Sequence, residues 1–331
     1  MNPVKACTLV AFGIASVSPV LANQTIILPP NSSYTVREGS PVTRYELERR
    51  ATLNVLPGGR TNRIFAAQGS RVNMQQGRID SVGIHALTLS NSHAVIDGST
   101  IVATVDPSKP DATAFGITLI GAEASTARIS NSTVSGVGRG INVTSSAILD
   151  LSNTQVDGYA GGPGSGAVTG GAGVVVAGAT AFVRNGSVVS GDNNGVVLFS
   201  SFTGSKEQGA TLVLDQSAVV GRQGSAIKVI QPATNNETAY IEINNGSTLS
   251  AGNGVILEVA EGASANALVN NSHLTGNIVA EQGASLDLSF ANQSSLTGSI
   301  ENAHSLSIDG SSSWIMTGDS SIDSLNLAGA Q

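Results

Sequence analysis

The stretch that decides the fold runs from residue 116 to residue 143 and reads GITLIGAEASTARISNSTVSGVGRGINV. Its first element is Gly, apolar, any residue, apolar, as in Gly116-Ile117-Thr118-Leu119, and this element returns at Gly140. Its second element is a short alternating segment, an Asn/Ser turn and another short segment ending in Gly, as in Ile129–Gly136. Alternation of apolar and polar residues is typical of β-strands with one buried face.

Both elements recur along the chain. The first returns at intervals of roughly 20 to 35 residues, a spacing typical of solenoid repeats. Its further copies begin at Gly83, Gly173, Gly195 and Gly254, with a variant at Ala226. The second returns with copies beginning at Leu89, Leu151, Val183, Leu214, Ile243, Val269, Leu288 and Ile308. No apolar period near 3.6 persists, which argues against helices.

This repeat predicts a solenoid. A single coil cannot bury its inner face, whereas stacked coils bury a narrow apolar column and pair each strand with its neighbours. The expected fold is therefore all-β, a right-handed parallel β-helix with about three short strands per coil and roughly a dozen coils.

The composition fits a thin core. The 331 residues include 39 Gly, and only 4% of them are aromatic and 12% charged, against about 25% charged in an average globular domain. Few aromatic residues are needed to fill a narrow aliphatic column. The Asn-rich turns predict stacked Asn side chains, because Asn tolerates the left-handed conformation and can form ladders.

The first 22 residues, Met1–Ala22, read as a secretory signal peptide. Lys5 supplies the positive start, Leu9–Val17 is the apolar run, and Val20-Leu21-Ala22 ends in a small residue before Asn23. The lone cysteine, Cys7, falls within this segment, so the mature chain is expected to fold without disulfides. No later stretch is long and apolar enough to predict a transmembrane helix.

Charge divides the rest of the chain. Residues 23–80 hold eight Arg against four acidic residues, whereas residues 81–331 carry a net charge of −12, and the whole chain carries −7. So acidic a shaft argues against a nucleic-acid partner. The expected organisation is a signal peptide (1–22), an Arg-rich N-terminal cap with the first coils (23–80), a β-helix shaft (81–305) and the start of a C-terminal cap region, truncated (306–331). Variable coil length predicts loop insertions at Val105–Ala114, Tyr159–Gly171 and Gln231–Thr238.

No catalytic, metal-binding or cofactor-binding residue is predicted. The four His residues, 85, 93, 273 and 304, lack the spacing of zinc ligands. Gly318-Asp319-Ser320 resembles the start of some lipases, but no His follows it. The sequence thus predicts a protein that is not an enzyme, needs no cofactor and has unknown binding residues.

Two alternatives stay open. A β-helix enzyme that acts on polysaccharide or ester substrates would need a groove holding two or three carboxylates within about 10 Å of each other. A chain whose strand edges are exposed near Gln331 would self-associate instead.

The end of the chain adds the most specific signal. Residues 306–330 read LSIDGSSSWIMTGDSSIDSLNLAGA, with Trp314 and Gly318-Asp319-Ser320. Together with the signal, the Cys-free solenoid and the paired repeat elements, this segment resembles the passenger domains of pertactin-type autotransporters, where it looks like the junction between shaft and C-terminal cap.

The resemblance implies a surface-displayed β-helix associated with adhesion and virulence. It implies export through the inner membrane, localisation at the cell surface of a Gram-negative bacterium or outside the cell, and partners among host-cell or matrix surface molecules. It also implies a C-terminal translocator β-barrel, which the sequence up to Gln331 does not include. The family's Arg-Gly-Asp tripeptide does not occur here, since the comparable place reads Gln155-Val156-Asp157-Gly158.

Overall fold

The computed structural model describes residues 24–329 except 84, 110, 122–124, 162–168, 204–205 and 232–236. The predicted signal peptide with Cys7 lies outside the described residues, as do the centres of the predicted insertions at 159–171 and 231–238. No helix occurs among the described residues, so none there could cross a membrane.

The described residues form 38 short strands. The first third of the chain holds β1 Thr25–Leu28, β2 Ser33–Val36, β3 Arg44–Leu47, β4 Thr52–Val55, β5 Arg60–Thr61, β6 Arg63–Ala67, β7 Arg71–Gln75, β8 Arg78–Val82, β9 Leu87–Ser90, β10 His93–Asp97 and β11 Thr100–Thr104. The middle holds β12 Ile117–Ile120, β13 Thr126–Ser130, β14 Thr133–Val137, β15 Arg139–Thr144, β16 Ile148–Ser152, β17 Gln155–Tyr159, β18 Ala172–Ala177, β19 Thr180–Arg184, β20 Val188–Gly191, β21 Val196–Phe199, β22 Ser201–Thr203, β23 Lys206–Gln208, β24 Thr211–Asp215 and β25 Ala218–Gly221. The last third holds β26 Ile227–Val229, β27 Ala239–Asn244, β28 Thr248–Ala251, β29 Val255–Val259, β30 Ser264–Asn270, β31 His273–Thr275, β32 Asn277–Ala280, β33 Ser285–Ala291, β34 Ser295–Thr297, β35 Ile300–Glu301, β36 Ala303–Ile308, β37 Ser313–Ile315 and β38 Ile322–Leu327.

These strands stack into three parallel sheets. Sheet A has 12 strands, β1 to β35, and each of them begins a coil, which we number 1 to 12. Sheet B has 13 strands, β2 to β38, and sheet C has eight, β5 to β28, with β31, β34 and β37 continuing the same place in coils 10 to 12. Each strand of these sheets pairs with an equivalent one coil away, as Asp287 pairs with Ser305 across a short coil and His93 with Thr126 across a long one. The strands β22 and β23 instead pair with each other as an antiparallel hairpin. The predicted parallel β-helix is confirmed.

One narrow column of side chains forms the core. In sheet B inward-facing positions alternate with more exposed ones, whereas the middle strands of sheet A are buried on both faces. The inward-facing apolar side chains join in a single cluster that runs from Leu28 to Ile308. Among the described residues, Tyr45 and Phe290 are its only fully buried aromatic members. The column is aliphatic because stacked coils leave little width between the three sheets, which accounts for the scarcity of aromatic residues.

The corner between sheets B and C carries the predicted asparagine ladder. Asn131 and Asn153 both adopt the left-handed conformation, with φ of 50° and 47°. The amide of Asn153 donates to Oδ1 of Asn131 at 2.8 Å. Buried serines form a second ladder beside it, in which the backbone N–H of Ser99 donates to Oγ of Ser132 at 3.0 Å. Both ladders satisfy polar groups at a tight turn.

Two copies of the first element lie in a different register from the one expected. At Gly83 the strand begins later, because Leu87 pairs with Ile117 and Ala86 therefore takes the position of the motif glycine. At Gly254 the strand contains an irregularity, since it is Leu257 that pairs with Ile227.

The copy of the second element that begins at Leu89 lies at a different corner from the other copies. The Asn/Ser turn after Leu89 connects sheet A to sheet B, because Asn91 lies between β9 and β10. The turn after Leu89 has the same Asn-Ser sequence as the turns between sheets B and C. The local sequence therefore does not distinguish the A–B corner from the B–C corner.

Candidate functional site

The connections from sheet C back to sheet A, which we call the C–A corner, differ most in length. In coil 5 a single residue, Gly138, joins β14 to β15. In coils 4 and 6 the same connection spans residues 105–116 and 160–171. The two long predicted insertions therefore leave the shaft from one corner, on either side of a tight coil.

Glycines line this corner because the two sheets approach closely. Their column in sheet C is made of paired residues, Gly136, Gly158, Gly191 and Gly221. A Cβ on Gly158 would lie 1.8 Å from the carbonyl oxygen of Ala172, the first residue of β18. Backbone contacts thus fix the base from which the insertions leave.

Three large side chains from successive coils stack at the sheet A side of the corner, His85, Phe115 and Arg139, and the positive charge of Arg63 acts on His85 beside them. The rings of His85 and Phe115 are stacked with centroids 4.5 Å apart. The guanidinium carbon of Arg139 lies 4.7 Å from the centroid of Phe115. This arrangement, which we call the corner column, closes one side of the base of the insertions.

The corner column holds an imidazole in its neutral form. The backbone N–H of Phe115 donates to Nδ1 of His85 at 3.1 Å, which places the ring proton on Nε2. Burial lowers the pKa of His85, and the positive charges of Arg63 and Arg139 lower it further. Burial also lowers the pKa of Arg139.

The corner column presents donors without acidic partners. The guanidinium of Arg139 donates to Oδ1 of Asn142 and to Oγ1 of Thr169. Among the described residues neither Arg63 nor Arg139 takes part in an ion pair. Nε of Arg63 and Oγ1 of Thr88 and Thr118 are buried without hydrogen-bond partners. Such an arrangement suits the binding of oxygen-bearing groups better than proton transfer.

Two carboxylates meet at the sheet C side of the same corner. Arg222 pairs with Asp157 and, at 3.0 Å, with Asp192. The second oxygen of Asp157 accepts from Gln155 at 2.8 Å, and that of Asp192 accepts the backbone N–H of Ala160 at 2.9 Å. The hydrogen bond to Asp157 raises the pKa of Arg222. The cluster clamps the start of the insertion at residues 160–171, and it brings together the carboxylates that an enzyme would need.

The other residues weighed from sequence are engaged in local contacts. Nδ1 of His93 lies 2.8 Å from Oγ1 of Thr126, and Nδ1 of His273 lies 2.8 Å from Oγ of Ser295. His304 lies 3.6 Å from Asp323. Oγ of Ser320 accepts the backbone N–H of Ile300 and donates to the carbonyl of Gly318, so the lipase-like segment is bound to backbone. Within the described ranges no three His, Cys, Asp or Glu side chains are placed to hold a metal ion.

No site residue was predicted from the sequence, and the corner column was not predicted either. A signal for it exists, because Phe115 and Arg139 each stand directly before a motif glycine. That position faces the C–A corner in both coils. His85 holds the same position, directly before Ala86. It was not recognised because the motif was expected to begin at Gly83 and not at Ala86.

Solved structures of other proteins include chains that are similar to this one. No protein-family model matches the sequence, and no curated protein matches it either. The Dettilon tailspike protein is similar to the chain, with a TM-score of 0.44 and 11% sequence identity, over 81% of this chain and 62% of that one. The aligned part thus spans less than two thirds of the tailspike chain. The β-helical fold is established here by the strand ladders of the chain itself.

Proposed function

We propose that the chain is the exported passenger of a pertactin-type autotransporter, a non-enzymatic surface module that binds host-cell or matrix molecules. The observation that carries this proposal is that both long C–A insertions leave the shaft at one rigid corner, in coils 4 and 6. A shaft of stacked coils holds such loops away from the cell. Several weak contacts along one corner add by multivalency.

Three further features support the proposal. The predicted signal peptide would direct export, and the repeat elements and the Trp314 segment resemble those of the passenger family. The corner column offers donors and an aromatic–guanidinium stack without an activated nucleophile. These features favour recognition at the cell surface over catalysis.

Adhesion by the purified chain tests this role. Deleting residues 160–170 leaves Tyr159-Gly171-Ala172, which reproduces the Val137-Gly138-Arg139 connection of coil 5 with which it pairs. We expect this variant to keep the strand content of the shaft and to lose most binding to host cells or matrix.

The control shortens an insertion at a different corner. Deleting residues 232–237, between sheets A and B of coil 9, should leave adhesion unchanged. Equal adhesion of all three chains would contradict a role for the C–A corner, and failure of the full chain to bind any cell or matrix preparation would contradict the adhesin role itself.

A second candidate is an enzyme acting on polysaccharide or ester, and the shared contact of Asp157 and Asp192 with Arg222 favours it. Glycosidases use two carboxyl groups held within about 10 Å. Here both groups pair with one guanidinium and their second oxygens are hydrogen-bonded, which suits a structural clamp. Release of reducing ends from a polysaccharide panel, abolished by Asp157→Asn while thermal stability is kept, would favour the enzyme.

A further inference from the structure

A groove crosses the outer face of sheet B over coils 3 to 7. It encloses about 470 Å³, a volume within the usual range of ligand sites. Its apolar surface comes from Val95, Ile148 and Phe182, of which Val95 is 53% and Ile148 39% exposed. The outward positions of a solvated sheet are normally polar, so these exposed apolar side chains indicate a surface that is covered by a ligand.

Arginine side chains lie across this groove at regular intervals of two coils. Arg71 pairs with His93, and His93 pairs with Thr126, two residues before Arg128. Arg128 is therefore displaced from Arg71 by two coils along the shaft and two residues along the strand. Strand spacing and rise place the two Cα atoms about 12 Å apart.

The same step is repeated once more. Arg128 pairs with Asp150, and Asp150 pairs with Phe182, two residues before Arg184. The guanidinium of Arg184 lies 4.3 Å from the centroid of Phe182, at the edge of the groove. Three guanidinium groups thus form a diagonal row over alternate coils, which we call the arginine diagonal.

The arginine diagonal carries excess positive charge. Asp150 lies 3.9 Å from Arg184, which is a weak contact. In the described part of the chain neither Arg71 nor Arg128 forms an ion pair, and both side chains are exposed. The chain as a whole carries a net charge of −7. A positive groove in an otherwise acidic shaft therefore selects a negatively charged ligand.

We propose that this groove binds an acidic polysaccharide, with its carboxylate or sulfate groups on the arginine diagonal. Neighbouring arginines of the diagonal have Cα atoms about 12 Å apart, a distance that two sugars of an extended polysaccharide and the long arginine side chains can span, so the guanidinium groups meet the anionic group of every second sugar. Guanidinium binds carboxylate and sulfate-like oxyanions in bidentate geometry. The apolar C–H faces of the sugars pack on Val95 and Ile148 between the arginines.

Binding measured by calorimetry on the full chain tests this inference. The probes are polygalacturonate for carboxylate, dextran sulfate for sulfate, neutral dextran, and poly-glutamate for an acidic protein ligand. We expect one of the two acidic saccharides to bind, with an affinity that falls as salt is raised. The double variant Arg71→Gln/Arg128→Gln should bind about tenfold or more weakly, because two charge-assisted contacts are lost.

The matched control is Arg37→Gln, which removes an exposed arginine from coil 1 outside the groove. It should bind like the original chain, and all variants should share one melting temperature. The inference is overturned if no acidic saccharide binds, if the double variant binds unchanged, or if neutral dextran binds equally well. Tighter binding of poly-glutamate would overturn it in favour of an acidic protein.

This inference stands apart from the proposed adhesin role. The groove lies on sheet B, whereas the insertion at 160–171 leaves from the C–A corner. Deletion of residues 160–170 should therefore abolish adhesion and leave saccharide binding intact. The two proposals can fail independently.

Discussion

Glycine positions in this shaft are decided by the neighbouring coil. Gly158 has ordinary negative φ, so its own backbone would accept a side chain. What forbids one is the carbonyl of Ala172, 1.8 Å from where a Cβ would stand. The glycines that recur at this position in the sequence are therefore explained by the close contact between sheets C and A.

Replacing Gly158 by Ala should lower the melting temperature markedly. The Cβ meets backbone atoms that cannot rotate away, and overpacking of this kind costs about 2 kcal/mol or more. Gly318→Ala is the matched control, since a Cβ there would meet nothing nearer than 3.8 Å. Equal melting temperatures for the two variants would show that the backbone at the C–A corner can shift to accommodate a Cβ at little cost, which would contradict this prediction.

His85 should make stability depend on pH below 6.5. Its pKa in the folded chain lies below the ordinary value of 6.5, so the unfolded chain takes up the proton first as pH falls. Stability is fully present above pH 6.5 and is lost as pH drops towards the lower folded pKa. Unfolding in urea at a series of pH values from about 7 to 5 measures the slope.

The control for this prediction is His85→Gln, which cannot be protonated. It should flatten the slope in that window and leave the loss of stability below about pH 4, where carboxyl groups titrate. An unchanged slope in the variant would assign the dependence to other groups.

At the scale of the element, the turns between sheets B and C are the part of the fold that the sequence predicts best. Their signal is local, because a left-handed Asn followed by a buried Ser or Thr sits between two short strands in Ile129–Gly136 and its relatives. The asparagine ladder forms because turns of the same conformation stack on each other in successive coils. The hairpin of β22 and β23 was not predicted.

Ser272→Ala should destabilise the shaft by about 1–3 kcal/mol, the cost of leaving a buried donor unpaired. Oγ of Ser272 is fully buried and accepts the backbone N–H of Gly246 at 3.1 Å. Thermal unfolding measures the loss.

Ser272→Thr is the conservative partner of that variant, because Thr154 holds the equivalent position in coil 6. It should restore most of the stability. A Thr variant as unstable as the Ala variant would show that packing, and not the hydrogen bond, decides this position.

At the scale of the whole molecule, coil length determines which side chains of neighbouring coils meet, and coil length could not be read from the sequence. The coil that separates His85 from Phe115 is longer than the coil that separates Phe115 from Arg139, yet each pair stacks. An error of a few positions in one coil, as at Gly83, moves a side chain from the corner to the core. The architecture was therefore predictable from the repeat, whereas the corner column and the arginine diagonal needed the register of every coil.

A shaft stabilised by nearest-neighbour stacking should lose stability locally when its core is damaged. Leu149 in coil 6 is fully buried, and Leu149→Ala should cost about 2–5 kcal/mol through lost burial and an unfilled cavity. Amide hydrogen exchange should then speed up in coils 5 to 7 and stay unchanged in coils 10 to 12. Leu286→Ala, which removes an equally buried side chain from coil 11, should give the reverse pattern. Uniform acceleration in both variants would mean that all coils unfold as one cooperative unit, with coupling that reaches beyond neighbouring coils.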